Sequence, residues 1–192
     1  MANAPVKPVV NAEAKPDVKS AAKPVAAGAK PAGKGLADLF EHGLKDMYYA
    51  EKKIYKSLPK MISAAQDADL KAALSAHRDE TASQIEVLEQ VFQQIGKTAK
   101  AEKCDAIDGI LEEAEGLLED FGGTAAGDAA IIFSCQAVEH YEITRYGSMV
   151  AFARALKLPE AADLLGGILA QETGADKTLS GLGEGRINAA AA

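Results

Sequence analysis

Four stretches of this sequence carry apolar residues at alternating three- and four-residue spacing, and each seam is interrupted near its middle by a carboxylate. The first runs Phe40, Leu44, Met47, Glu51, Ile54, Leu58, Met61. The second runs Leu70, Leu74, His77, Thr81, Gln84, Leu88, Val91, Ile95, with Glu80 one turn after His77. The third runs Ile132, Cys135, Glu139, Glu142, Tyr146, Met149, Ala153, Leu156, and the fourth Ala161, Leu165, Ile168, Glu172, Ala175, Leu179, Leu182. Such spacing is one face of an α-helix turned toward a core. Burying an unpaired carboxylate costs several kcal/mol, so the fold must bring these acids to cations or keep them protonated. No Lys or Arg stands centrally on any seam. A bound pair of metal ions meets the need.

The chain has 192 residues, room for one domain and a tail. Its net charge of −7 hides an asymmetry. Residues 1–34 hold six Lys against Glu13 and Asp17, a net of +4, so the remainder carries −7 − 4 = −11. Lys-Pro units recur in that segment among Ala and Gly. Pro opposes helix, and so little apolar bulk cannot offset the entropy of ordering, so a disordered tail is expected there. An acidic body argues against nucleic-acid affinity of the whole protein. The tail offers weak, salt-sensitive contact through Lys, without the aromatics or Arg that grip bases and phosphates. Cys104 and Cys135 have neither metal-type nor secreted-framework spacing and read as reduced thiols. No apolar run reaches the length of a signal peptide or membrane span, so a soluble, cytoplasmic protein is expected.

The first helix is expected from near Leu36 to about Ala64, with Pro59 bending or breaking it. Asp67 is placed to cap the second, which runs to about Ile95 and stops at Gly96. Residues 97–127 hold one short amphipathic segment, Asp108 to Asp120. The third long helix runs from near Asp128 to Leu158. The fourth starts at Pro159 and ends in the cluster Gly181, Gly183, Gly185. Two short turns and one long connection make two helical hairpins joined by a crossover. The domain is thus set at residues 35–185, with a flexible C-terminal tail at 186–192. Glu51 lies about 13 to 15 residues before the first turn and Glu80 about 13 after it. Glu142 lies roughly 16 before the second turn and Glu172 about 13 after it. At ~1.5 Å rise per residue these levels agree to within about a turn.

Carboxylates with one or two imidazoles suit paired iron or manganese, hard ions that oxygen donors can share. The candidate ligands are Glu51, Glu80, Glu139 and Glu172. His77, Glu142 and Asp176 stand equally between binding metal and steadying a ligand. His77 also reads as a core His bonded to a neighbouring carboxylate. Tyr48 and Tyr146 read as core residues whose hydroxyls need partners. His42 and His140 point away from the seams.

Several strings resemble the YciE/YciF group of ferritin-like proteins. They are Leu36-Ala-Asp-Leu-Phe-Glu-His42, Asp46-Met-Tyr-Tyr-Ala-Glu-Lys-Lys-Ile54, Leu58-Pro-Lys-Met61, His77-x-x-Glu80-Thr81, Val138-Glu-His-Tyr-Glu-Ile143, Cys104-x-Ala106-Ile107 and Gln171-Glu-Thr173. Together they cover roughly residues 36–182. The resemblance implies an all-α, ferritin-like four-helix bundle, a link to bacterial stress, a homodimer and a di-iron or di-manganese site. The sequence departs from the usual ferritin order, since the second helix reads His-x-x-Glu and Ala175 stands where a His would follow Glu172. The first functional expectation is a stress-associated di-metal protein that reduces oxygen or peroxide as its metal is oxidised. The other is a non-catalytic bundle that scaffolds or protects a partner, with its basic tail touching nucleic acid or that partner.

Overall fold

The computed structural model describes residues 33–192, and among them every regular element is helical. The Lys/Ala/Pro-rich segment read as a tail lies, but for Gly33 and Lys34, outside the described residues. The elements are α1 (Leu36–Ala64), α2 (Ala68–Gln94), α3 (Asp105–Phe121), α4 (Gly127–Ala155), α5 (Pro159–Leu182), a π-helical turn (Gly183–Ile187) and α6 (Asn188–Ala191). Helices α1, α2, α5 and α4 pack in a closed ring, each against the next, and α3 lies outside against α4 and α1. This is a four-helix bundle whose crossover contains a fifth helix.

Nearly all the seam residues are buried where the spacing put them, including Phe40, Leu44, Leu70, Leu88, Tyr146 and Leu165. The helix ends follow local chemistry. The Asp67 carboxylate accepts hydrogen bonds from the Asp69 and Leu70 amides, both at 3.0 Å, and so caps α2. Gly96, at φ +69°, ends α2, with Lys97 N–H donating to the Phe92 carbonyl at 2.9 Å. The end of α4 has the same hydrogen-bond pattern, Leu158 N–H donating to Ala153 at 2.9 Å. There the left-handed position is filled by Lys157 at φ +60°. A side chain costs about 1 kcal/mol in that conformation. Lys157→Gly should therefore raise the unfolding free energy by about 1 kcal/mol in urea titration. An unchanged midpoint would mean the Lys side chain compensates elsewhere.

Contacts between helix ends fix their directions. Asp128, in the first turn of α4, accepts from the Gln66 and Asp67 amides at 2.8 and 2.7 Å, just past the end of α1. At the other extreme a Cβ on Gly43 would lie 3.1 Å from the Met149 sulfur. Arg186, beyond α5, pairs with Asp67 and, at 2.6 Å, with Asp69 at the start of α2. Every neighbour in the ring is thus antiparallel. The crossover descends along α1 in the same direction. Glu102 N–H donates to the Lys45 carbonyl at 3.1 Å, the Tyr49 hydroxyl to Asp108 at 2.9 Å, and Lys60 meets Glu115 at 3.8 Å.

Three expectations are corrected. Of the bend or break expected at Pro59, the break does not occur, since α1 runs on through it. Pro59 is exposed, on the solvent side of the helix. The crossover helix is longer than Asp108–Asp120. It starts at Asp105, where the Cys104 sulfur accepts from the Ile107 amide at 3.5 Å, and ends at Phe121. The Gly181, Gly183, Gly185 cluster does not end the helical path, and residues 186–192 are not a loose tail in the structure. The π-turn and α6 carry the chain on, with Ile187 buried and Arg186 paired. Tertiary contacts here override the low helix propensity of Gly.

Candidate metal centre

The four seams deliver their polar residues to one level of the bundle. Glu51 from α1, His77 from α2, Glu139 and Glu142 from α4 and Glu172 from α5 are all buried. One ligand atom each from His77, Glu139, Glu142 and Glu172 lies within 4.8 Å of the other three. His77 Nε2 is 3.3 Å from Glu139 Oε1, and its Nδ1 is 4.0 Å from Glu172 Oε2. Glu51 adjoins this group beside Glu142. Its Oε1 accepts the hydroxyl proton of Tyr146 in a close hydrogen bond. Glu172 is held by Gln84, whose side-chain amide donates to Glu172 Oε1 and, at 3.2 Å, to Gln171.

Much of this polar surface has no protein partner. Glu51 Oε2, both His77 nitrogens, Glu139 Oε2, both oxygens of Glu142 and Glu172 Oε2 are buried without a hydrogen bond. No described Lys or Arg forms an ion pair with any of these acids. Buried acceptors in such number are rare in native proteins and call for an explanation. Burial and mutual repulsion push the carboxyls above their usual range. Glu51 rises to about 8, chiefly by desolvation and then by the charge of Glu172. Glu139 rises to about 11, again chiefly by desolvation. Glu142 and Glu172 move the same way for the same first reason. Burial lowers His77 to about 4, so its imidazole is neutral and keeps a lone pair. Hard carboxylate oxygens, a neutral imidazole and unpartnered acceptors form a donor set that fits a divalent cation.

The remaining predicted residues stand apart from this group. Glu80 is half-buried and lines a cleft between α2 and α5 that has His77 and Glu139 at its inner end. Asp176 is also half-buried. It accepts from Gln136 at 3.0 Å and lies 3.3 Å from the exposed His140. Tyr48 donates to Glu89 at 2.6 Å, away from the acids. Gln84 and Tyr146 are the supporting residues that spacing alone did not single out as partners. Their signal was present, since a Gln and a Tyr on an apolar seam each need a hydrogen-bond partner.

Residues 35–192 match the family described as a domain of unknown function, DUF892. YciF of Escherichia coli strain K12 is 37% identical over 156 residues, 81% of this chain and 94% of its own. The crystal structure of YciF, described as an E. coli stress protein, superposes with a TM-score of 0.77 and covers 81% of this chain and 99% of that one. YcfI of Rhodopseudomonas palustris, described as a candidate structural protein, is 42% identical with a TM-score of 0.75, over 77% of this chain and 94% of that one. A Xanthomonas campestris protein, 21% identical, shares the fold at a TM-score of 0.64 over 81% of this chain and 94% of that one.

Proposed function

The chain belongs to the DUF892 family, and from that premise we propose that it is a stress-associated protein whose buried glutamates and histidine hold two iron or manganese ions. The observation that carries this reading is the set of unpartnered acceptors on Glu51, His77, Glu139, Glu142 and Glu172, gathered from all four bundle helices. The stress association rests on the description of E. coli YciF. A homodimer in the cytoplasm belongs to the same proposal. Among the described residues no helix is long and apolar enough to cross a membrane.

When bound, such ions supply an open coordination position and electrons for the reduction of oxygen or peroxide. The protein's own part is positional. Tyr146 fixes one oxygen of Glu51 and leaves the other free. Gln84 does the same for Glu172. Glu142 contributes two uncommitted oxygens, and His77 a neutral nitrogen. The buried apolar side chains of Leu74, Ile54 and Ile168 lower the local dielectric and strengthen the charge interactions inside.

Metal analysis tests the reading. Protein loaded anaerobically with Fe(II) or Mn(II) and desalted should retain near-stoichiometric metal, and Glu51→Ala and Glu172→Ala should each lose most of it. A wild-type protein that retains none would favour the second reading, a non-catalytic scaffold. That reading draws on the description of YcfI and on Phe133, which is 66% exposed on α4.

A further inference from the structure

We propose that the cleft between α2 and α5 is the route by which a hydrated divalent cation reaches the buried acids, with Glu80 as the carboxylate that receives it at the mouth. The proposal rests on the metal-binding reading above and names the path and the relay that reading lacks.

The cleft has a volume of about 400 Å³. A water molecule occupies ~30 Å³ of liquid, so the space accepts a cation with its inner hydration shell. Small residues form part of both walls, with Ala76 on α2 and Ala170, Gly174 and Ala175 on α5. Small side chains at successive turns keep two packed helices from closing over the gap. What lies at the inner end sets this apart from an ordinary groove. His77 and Glu139 line it, and they are only 6% and 1% exposed. Both His77 nitrogens and Glu139 Oε2 lack hydrogen-bond partners. The cleft therefore leads from solvent to unsatisfied ligand atoms.

Glu80 is placed for transfer. It is half-buried, lines the same cleft and sits one turn beyond His77 on α2. A carboxylate there attracts a cation out of solvent and hands it to donors one turn away. The acidic body, at a net −11 outside residues 1–34, draws cations toward the surface in the first place.

Gly174 offers a clean test, since a Cβ added there meets nothing within 4 Å and Gly→Leu in a helix does not weaken it. Gly174→Leu places bulk in the cleft at a position that supplies no ligand. Mn(II) uptake, followed by loss of the free-ion resonance signal, and Mn(II) release to excess chelator should both slow by about tenfold or more. Stoichiometry and affinity should hold, because a barrier on the path changes both rates alike. Gly167→Leu, on the same helix but outside the cleft and equally free of contacts, should leave both rates unchanged. Glu80→Gln should slow uptake at full stoichiometry. If Gly174→Leu loads as fast as wild type, the route is wrong while metal binding stands. If Glu80→Gln binds less metal at equilibrium, Glu80 is a ligand and the relay is overturned. If wild type takes up no Mn(II), the metal-binding reading itself fails.

Discussion

Replacing Glu142 with leucine should make the metal-free protein more stable by about 2 kcal/mol while lowering its affinity for divalent cations by about a hundredfold or more. The two effects have one cause. Glu142 is 1% exposed, and neither of its oxygens has a hydrogen-bond partner. It faces Glu51, and burial first, then the charges of Glu51, Glu172 and Glu139, raise its pKa. Without a cation it is a desolvated acid whose one polar neighbour is the carboxyl of Glu51. Leucine of similar volume removes the polar group and keeps the packing. With a cation present the same acid becomes a donor, so its loss is felt in binding. Urea unfolding in chelator reads the first effect, and calorimetric titration with Mn(II) reads the second. A metal-free Glu142→Leu protein that unfolds more easily than wild type would show that Glu142 is satisfied after all, and the metal-binding reading would lose its main support.

The metal-free protein should also lose stability as pH rises, and bound cation should reverse that slope. The unfolded chain releases its glutamate protons near pH 4.5, whereas in the folded state Glu51 holds its proton to about pH 8 and Glu139 to about pH 11. Between pH 4.5 and 8 the folded state binds more protons than the unfolded state. Raising pH in that window therefore favours unfolding, by about 1.4 kcal/mol per pH unit for each proton retained. Against a total stability of about 5–15 kcal/mol this is a large effect. His77 acts in the opposite sense and lower down. Its depressed value, about 4, costs stability only as pH falls below about 6.5. Above that value His77 is neutral in both states, so the acids alone set the slope and it is negative. A bound cation requires deprotonated carboxylates, so the loaded protein should gain stability over the same range. Thermal melts from pH 5.5 to 8.5 in chelator and in Mn(II) should diverge. Parallel curves would rule out the cluster as the cation's site.

The acids could be read from the sequence because helical periodicity is strict. A glutamate in register with Leu44 and Leu58 must face the core. Glu51, His77, Glu139, Glu142 and Glu172 followed from that rule alone. Glu80 and Asp176 lie off the centre of their stripes, where periodicity no longer decides. A rotation of a few tens of degrees sends such a side chain to a cleft or to a neighbour such as Gln136. The C-terminal continuation was hidden for a different reason. Three glycines in five residues mark an end by propensity, and it is long-range contacts that accompany the helix past it, among them the burial of Ile187 and the pairing of Arg186 with Asp67, 119 residues away in sequence. Pro59 is similar, because its consequence depends on which side of the helix meets water.

The antiparallel ring described above bears on how the buried charges can be neutralised. Each helix carries partial positive charge at its N-terminus and partial negative charge at its C-terminus. Side by side in opposite directions, neighbouring macrodipoles cancel in pairs. The glutamates sit toward mid-length, at least about 15 Å from any helix end at ~1.5 Å per residue, beyond the first and last turns where such fields act. The backbone thus offers these acids no compensating potential, which leaves protons and cations to share the task.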